Sequence, residues 1–296
     1  MNNQHWSGQF FKQSIQSIVP LKESYPHQTD LVILQDGSQW VCKILTKNTW
    51  LGPIDSTHFV FTEQVASCVA QKLDCTFAPL SLEEGRQQSH SRYLIVPYCQ
   101  GKLVTVVTQE QAMALGCLLA KLHELSLSHL EAQEFPRIYL PTKHTHPAWL
   151  ELLVRRCNAL CHYEKASRVV SHRDIHLQNV IWKTAKEPYL IDWESAGLIH
   201  PFVELIGLAI NCSGLANYQF NKLLFQATLK GYAYQKGKLP RSNNNLWEMC
   251  LHSWLLWYAY SLKKEWYADA QSTLRVIELI RVKMPELQAT YAAAMK

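Results

Sequence analysis

The sequence predicts an α+β protein of two lobes, a small N-terminal lobe built on an antiparallel sheet and a larger, mainly helical C-terminal lobe. A chain of 296 residues has room for about two such units. β-rich runs around an Asp36-Gly37 pair occupy the early part of the chain, whereas helix-type apolar spacing follows Thr108. We therefore expect the first lobe over residues 1–100 and the second over residues 101–296.

The composition excludes several classes of protein. Hydrophobic residues make up 48% and charged residues 18% of the chain, so a sizeable core is available. The net charge of +5 comes from dispersed Lys and Arg residues, whereas nucleic-acid binding needs a concentrated basic stripe. Residues 1–11 lack the pattern of a signal peptide, and the longest apolar stretch, residues 254–262, is too short to cross a membrane. Nine scattered cysteines indicate free thiols, and hence a cytoplasmic protein.

The small lobe is predicted from alternating strand-like runs and one helix. Asp-Gly between two β-rich runs is a strong hairpin signal, and residues 59–73 carry apolar side chains every four positions, as in a helix. Asp55 is one of three candidate caps for that helix. The expected strands are residues 14–19, 31–34, 40–45 and 93–96.

The large lobe is predicted from helix signals. Thr108 and Gln111 have the spacing of a capping box, and the helix after them carries Gly116, which permits close packing. A short tail is expected after Pro285, beyond the last helix. The expected helices are residues 112–125, 147–166, 220–234, 246–267 and 271–283.

Polar residues converge at one end of a predicted hairpin within residues 171–197. Asp174 and Asn179 precede the apolar run 180–182, and Asp192 follows the apolar run 189–191. A hairpin of these two runs brings all three side chains together. Two carboxylates and an amide suit Mg²⁺, and one carboxylate remains to accept a proton from a hydroxyl group. Phosphoryl transfer needs this combination. The alternative is that Asp174 and Asn179 only cap a turn.

Three segments resemble one known family. Residues 172–179 (HRD, four residues, then Asn) resemble the catalytic loop of the protein-kinase-like superfamily. Residues 191–194 (IDWE) resemble the metal-binding segment of its aminoglycoside phosphotransferase and choline kinase branch, and residues 115–123 resemble the LGxxLAxLH helix of that branch. The resemblance implies a two-lobe protein-kinase-like fold that binds ATP, or alternatively GTP, together with Mg²⁺. It assigns Asp174 as the catalytic base and Asn179 and Asp192 as metal ligands.

The resemblance also assigns residues to the nucleotide. Lys43 in the third strand would contact phosphates and pair with Glu63 on the following helix, the alternative being that Lys43 points to solvent. The Pro97 carbonyl and the Cys99 N–H would bind the adenine, since proline cannot donate. Residues 22–30 contain no glycine, so phosphate contacts there would come from backbone N–H groups or from hydroxyls such as Ser24 and Thr29.

The expected reaction transfers the γ-phosphoryl group to a hydroxyl of a small molecule: an aminoglycoside, a choline-like amine, an amino alcohol or a sugar. A protein kinase is disfavoured because little chain separates Asp192 from the helix near Phe202 and no Ala-Pro-Glu follows. A catalytically silent nucleotide-binding scaffold is the alternative. We expect no nucleic-acid or membrane partner. Glu204 stands where many relatives have Asp, so its role is open, and His123 is expected to be structural.

Overall fold

A computed structural model describes residue 6 and residues 10–22, 28–46, 48–53, 55–80, 92–128 and 131–295 of the chain. It confirms the α+β class, with an antiparallel sheet in the N-terminal part and mainly helices after it. The N-terminal elements are β1 (Ile15–Lys22), β2 (Gln28–Leu34), β3 (Gln39–Leu45), β4 (Asn48–Thr49), β5 (Gly52–Pro53), α1 (Ser56–Lys72) and β6 (Arg92–Pro97).

The C-terminal part alternates helices with short strands. Its helices are α2 (Gln109–Glu124), α3 (Ala148–Ala159), α4 (Pro201–Cys212), α5 (Lys222–Lys236), α6 (Asn244–Met249), α7 (His252–Lys263) and α8 (Tyr267–Ala294). Its strands are β7 (Val169–Ser171), β8 (Val180–Thr184), β9 (Glu187–Leu190) and β10 (Gly197–Ile199). Within the described ranges, no helix combines the length and the apolar character that a membrane crossing requires.

The N-terminal sheet has the order β1-β2-β3-β6 and is antiparallel throughout. The predicted Asp36-Gly37 turn joins β2 and β3. Gly37 has φ +82°, and Asp36 Oδ1 accepts the Ser38 N–H at 2.9 Å. Glycine tolerates this left-handed backbone without strain. The turn sets the register in which Lys43 lies between Thr29 on β2 and Leu94 on β6.

Helix α1 connects the sheet to the larger part of the molecule. Asp55 is its N-cap and accepts the His58 N–H at 2.7 Å, which confirms the cap predicted from sequence. Phe61, Val65 and Val69 on its buried face belong to the same apolar cluster as the C-terminal helices. The apolar core therefore runs across residue 100, and a boundary between two lobes at that residue remains a prediction.

Helices α2 and α5 pack at unusually close range because both carry glycine at their contact. A Cβ atom on Gly116 would lie 2.1 Å from the Thr228 carbonyl oxygen, and one on Gly231 would lie 2.0 Å from the Met113 carbonyl oxygen. No side chain fits at either position. The capping box predicted for α2 is present, with Thr108 and Gln111 each bonding the other's backbone N–H.

Two predicted helices end or break earlier than the apolar spacing suggests. The helix predicted over residues 147–166 ends at Ala159. In the segment after it, the Arg168 guanidinium donates hydrogen bonds to the carbonyls of Cys161 (2.6 Å) and Tyr163 (3.1 Å), which a continued helix would use for its own backbone. The helix predicted over residues 246–267 breaks into α6 and α7 at a buried turn formed by Cys250 and Leu251. Burial of that turn outweighs the continuous helical pattern.

The short tail predicted after Pro285 is wrong, since α8 continues through that proline to Ala294. An interior proline costs roughly 3 kcal/mol, but the final turns of α8 are anchored. Leu287 is fully buried, and the Tyr291 hydroxyl donates to the Pro240 carbonyl at 2.5 Å. The Tyr291 ring also packs edge-on against Phe202 and Trp247. This tertiary packing exceeds the local cost of the proline.

Candidate active site

The β8–β9 hairpin forms as predicted and brings its polar flanks together. Val180 at the start of β8 pairs with Leu190 at the end of β9, and the Ile191 N–H donates to the Asn179 carbonyl at 3.1 Å. Asn179 and Asp192 therefore lie on neighbouring strand ends. The geometry follows from antiparallel pairing, which places the start of one strand beside the end of the next.

Asp174 lies beside Asn179 at the same end of the hairpin. The Asn179 amide nitrogen donates to the Asp174 backbone carbonyl at 3.0 Å and lies 3.5 Å from the Asp174 carboxylate. This bond orients the Asn179 amide so that its oxygen is turned away from Asp174. The Asp174 side chain is 32% exposed, with His176 Nε2 3.8 Å from its carboxylate. A reactant can reach the Asp174 carboxylate.

The residue before Asp174 is held by a dense set of bonds. Arg173 has φ +66°, a left-handed conformation that turns the loop sharply. Its guanidinium is buried and donates to the carbonyls of Ser195 (2.6 Å), Gln133 (2.8 Å) and Ala196 (3.3 Å). Burial lowers the pKa of Arg173 to about 9. The Phe135 ring covers the guanidinium at 5.0 Å.

Glu204 on α4 holds the same loop by hydrogen bonds, which gives Glu204 a structural role. One of its oxygens accepts the Arg173 backbone N–H at 2.7 Å, and the other accepts from His123 Nε2 at 2.7 Å. The Tyr232 hydroxyl contacts His123 Nδ1 at 3.0 Å. Burial would raise the pKa of Glu204, but the hydrogen bonds and charge of His123 hold it below its usual range. His123 is a buried structural residue, as expected from the sequence.

Lys43 extends from β3 to the segment that carries Asp192 and Glu194. Its ammonium lies 2.5 Å from the Asp192 carboxylate and 2.8 Å from the Glu194 carboxylate. Burial would lower the pKa of Lys43, but the two carboxylates raise it above its usual value. Burial likewise opposes ionisation of Asp192, and the Lys43 ammonium nevertheless holds the pKa of Asp192 below its usual range. Lys43 does not point to solvent.

The predicted partner of Lys43 was Glu63, and the structure places Lys43 elsewhere. The Lys43 ammonium donates to Asp192 and Glu194 and not to Glu63 on α1. Among the described residues, Glu63 Oε1 is buried and has no hydrogen-bond partner. Burial raises the pKa of Glu63 to about 7. Sequence spacing predicts that Glu63 lies near Lys43, but it cannot rank three competing carboxylates.

The predicted adenine-binding residues lie at the open edge of the N-terminal sheet. β6 is an edge strand, so the missing N–H of Pro97 interrupts no ladder. The Tyr98 N–H points inward to the Gln39 carbonyl at 2.9 Å, and the Ile95 carbonyl points outward to the Leu80 N–H at 2.8 Å. Alternation along the strand turns the Pro97 carbonyl outward too. Cys99 is buried just beyond it.

Of the two hydroxyls predicted near the phosphates, the structure describes only that of Thr29. Thr29 lies on β2 directly opposite Lys43. Ser24 lies outside the described residues. The ends of the segment predicted as a loop, residues 22–30, belong to strands, since β1 continues to Lys22 and β2 begins at Gln28.

Sequence reasoning missed two contacts of the candidate site. Glu194 binds Lys43, and its only sequence signal is its position two residues after Asp192. His172 Nε2 donates to the Ile191 carbonyl at 2.8 Å and so ties the catalytic-type loop to the segment that carries Asp192. Asp192 itself has φ +66°, which turns its side chain out of the β9 line, and that side chain is 40% exposed.

The donor set fits a cation that shares its coordination with a ligand. In the part of the chain that the structure describes, no group of three or more His, Cys, Asp and Glu side chains is arranged to enclose a metal ion. Mg²⁺ usually takes only one or two protein carboxylates and completes its octahedron with waters and substrate phosphates. The half-exposed Asp192 carboxylate and the oriented Asn179 amide oxygen match that requirement.

Comparison with known families identifies the chain. A model of the phosphotransferase enzyme family (APH) matches residues 64–237, more than half of the sequence. The chain belongs to this family. The matched span contains the α2 motif, the loop with Asp174 and the segment with Asp192. The family is the one that the sequence motifs indicated.

Solved structures of the family share the fold. Spectinomycin phosphotransferase APH(9)-Ia, in complex with ADP and spectinomycin, has a TM-score of 0.66 at 13% identity, covering 90% of this chain and 93% of that one. The amicoumacin kinase hAmiN, in complex with AMP-PNP, Ca²⁺ and Ami, has 0.65 at 14%, covering 88% and 87%. Choline kinase LicA from Streptococcus pneumoniae has 0.62 at 15%, covering 91% and 94%. A search of curated proteins found no match.

Proposed function

We propose that this family member is an ATP-dependent kinase that transfers the γ-phosphoryl group to a hydroxyl of a small molecule. The observation that carries the proposal is the convergence of Asp174, Asn179 and Asp192 at one end of the β8–β9 hairpin, with Lys43 reaching the same point. Family membership supports phosphotransferase chemistry. The solved relatives crystallised with AMP-PNP and with ADP support a nucleotide donor.

Asp174 is proposed as the general base. Its carboxylate is exposed enough to meet an acceptor hydroxyl, and its backbone is fixed on both sides by Arg173 and Asn179. A base positioned in this way takes the proton as the hydroxyl attacks phosphorus. Positioning and charge neutralisation account for most of the catalysis in phosphoryl transfer, since the protein forms no bond to the phosphoryl group.

Asn179 and Asp192 are proposed to hold Mg²⁺, and Lys43 is proposed to contact the nucleotide phosphates. When bound, Mg²⁺ would neutralise charge on the phosphate oxygens. Lys43 already lies between two carboxylates next to this position. Glu63 stays a proposed cofactor-site residue, because its buried, unpaired Oε1 atom can accept the Lys43 ammonium when phosphates compete for the present position of Lys43.

The adenine is proposed to bind along the open edge of β6. The Pro97 carbonyl faces that edge, and the Cys99 N–H, two residues further, has the spacing to donate beside it. These two groups suit the 6-amino group and N1 of adenine, one accepting and the other donating. GTP remains the alternative donor. Competition between ATP and GTP for one measured binding site distinguishes them.

A catalytically silent nucleotide-binding scaffold is the second candidate. One observation favours it: the Lys43 ammonium lies directly on Asp192, the residue proposed to hold Mg²⁺. In an active kinase, nucleotide and Mg²⁺ together displace this contact. A scaffold would bind nucleotide and transfer no phosphate.

The acceptor is proposed to be a hydroxyl-bearing amine, an amino alcohol or a sugar, with an aminoglycoside as the alternative. Similar folds are recorded for enzymes acting on choline, ethanolamine and spectinomycin. Most aromatic rings of α6 and α7 are core, as their spacing indicates: Trp247 and Tyr258 are buried. Trp254 and Trp257 are half-buried, and Trp257 contacts Tyr260 and Trp266.

An ATP-consumption screen tests the proposal. Purified protein with Mg·ATP is offered aminoglycosides, choline-like amines, amino alcohols and sugars, and ADP release is measured against an Asp174→Asn control. Acceptor-dependent ADP release in the parent alone supports the kinase. Tight nucleotide binding with no release across the whole panel supports the scaffold. The nine cysteines are all free thiols, consistent with our proposal that the protein works in the cytoplasm.

A further inference from the structure

A short hairpin of the N-terminal part is linked through one side chain to the loop that bears Asp174. β4 and β5 follow directly after β3, which carries Lys43, and precede α1, which carries Glu63. Their two-residue turn is Trp50-Leu51, closed by Gly52 at φ +99°. Trp50 and Leu51 pack on the large apolar cluster that α1 shares with the C-terminal helices. The Trp50 ring contacts Phe135, so the tip of the hairpin is docked on the C-terminal part.

Trp50 ends a stack that leads to Arg173. The Trp50 ring lies 5.9 Å from the Phe135 ring. Phe135 stacks on His252 at 5.5 Å and covers the Arg173 guanidinium at 5.0 Å. Arg173 adjoins Asp174. A change at the hairpin tip thus reaches the proposed base through two side-chain contacts.

A second contact holds the base of the same hairpin. The buried Tyr260 of α7 donates its hydroxyl to the Asn48 carbonyl at 3.1 Å. On the nucleotide side, Lys102 and Trp182 exchange backbone hydrogen bonds, which joins the segment after β6 to the middle of β8. The tip and the base of the hairpin are thus both held by the C-terminal part.

We propose that Trp50 is a positioning residue that, through Phe135, holds Arg173 and hence the loop bearing Asp174. This inference rests on the proposed function for its catalytic meaning, but the contacts themselves do not depend on it. The Phe135 ring covers the guanidinium of Arg173, which donates three hydrogen bonds to backbone carbonyls. Loss of the Trp50 contact frees that ring and lets water compete for those bonds.

Amide hydrogen exchange tests the inference without any substrate. The Arg173 N–H is bonded to Glu204 and reports directly on the loop. Aromatic pairs of this kind stabilise local structure enough that Trp50→Ala should speed exchange over residues 172–174 by about two- to tenfold. Exchange in α5 should stay unchanged. Trp50→Phe should restore most of the protection.

Matched variants separate positioning from general loss of stability. Trp149 on α3 is another half-buried tryptophan, with the Arg281 guanidinium 4.2 Å from its ring, and Trp149→Ala should leave exchange over residues 172–174 unchanged. Tyr260→Phe removes only the hydroxyl on Asn48 and should give a smaller acceleration than Trp50→Ala. If Trp50→Ala does not fold, Tyr260→Phe and Trp50→Phe still decide the matter, since unchanged exchange in Tyr260→Phe would overturn the proposal.

Two results would overturn the inference outright. One is unaltered exchange over residues 172–174 in folded Trp50→Ala, and the other is an equal acceleration at every amide. Once the screen has found an acceptor, Trp50→Ala should lower kcat for it while the Mg·ATP Kd stays as in the parent. A purely structural tryptophan would lower Tm and leave kcat unchanged. If the parent phosphorylates nothing, the proposed function fails, whereas the exchange result still tests the stack.

Discussion

The half of the candidate site around Arg173 and the half around Lys43 differ in how their polar and charged groups are paired. Around Arg173, each guanidinium nitrogen binds a carbonyl, and the backbone N–H binds the buried Glu204. Around Lys43, by contrast, one ammonium faces two carboxylates, and Asp192 is partly exposed. On α1, the buried Oε1 atom of Glu63 has no hydrogen-bond partner among the described residues.

The half around Arg173 is therefore preformed, whereas the half around Lys43 has more carboxylates than cations. A satisfied buried network is rigid, and it fixes the backbone on which Asp174 stands. An excess of carboxylates is favourable only if a further cation or proton joins it. Substitutions in the first half should therefore affect the fold or the chemistry, and those in the second half should affect ligand affinity and proton binding.

Asp174→Asn should give the largest effect, on turnover alone. It removes the proton acceptor at nearly constant volume and keeps the backbone bonds of the loop, so kcat should fall by about 10²–10⁴-fold. Steady-state kinetics with the acceptor from the screen measure this loss, and thermal unfolding serves as the control. Turnover at the parental rate would show that Asp174 is not the base.

Glu204→Ala should produce the largest loss of stability. It leaves the Arg173 N–H and the Nε2 atom of His123 unpaired in the interior, and breaking such buried pairs costs about 3–5 kcal/mol. Chemical denaturation measures the free energy of unfolding. Glu204→Gln is the matched control, since it retains an acceptor oxygen and should lose less. A loss below about 1 kcal/mol for Glu204→Ala would contradict a preformed half.

Asp192→Ala should act on ligand binding with little effect on the fold. Glu194 remains to pair with Lys43, so the free energy of unfolding should change little. Mg²⁺-dependent nucleotide affinity should fall by at least the roughly 10–100-fold that substitution of supporting residues around a metal typically costs. Calorimetry with Mg·ATP measures it, with Mg²⁺-free ATP as reference. Parental Mg·ATP affinity would remove Asp192 from the metal site.

Glu63→Gln should give the smallest effect, and one that depends on pH. The folded-state pKa of Glu63 is about 7, above its ordinary value of 4.5. A raised carboxyl pKa contributes stability below pH 4.5, and that contribution is lost as pH rises through 7. The variant should therefore match the parent near pH 4.5 and exceed its unfolding free energy by about 1–3 kcal/mol at pH 8. Denaturation across this range measures the difference, and equal curves would show that Glu63 has a partner.

Short-range signals determined much of this protein in advance. Asp174, Asn179 and Asp192 meet because two apolar runs and the turn between them can pair in only a few registers, and a hairpin brings its flanks together. The Asp36-Gly37 turn, the Thr108 capping box and the Asp55 cap were predictable for the same reason. Each depends on residues within a few positions of one another, where chain geometry leaves little choice.

Tertiary packing decided what distant segments do to one another. Lys43 binds Asp192 and Glu194 rather than Glu63, because the carboxylates compete in space and their order along the chain does not rank them. The bond from His123 to Glu204, the continuation of α8 through Pro285 and the docking of Trp50 on Phe135 likewise join residues far apart in sequence. Their energies come from burial and from the pairing of buried polar groups, and these exist only once the chain has folded.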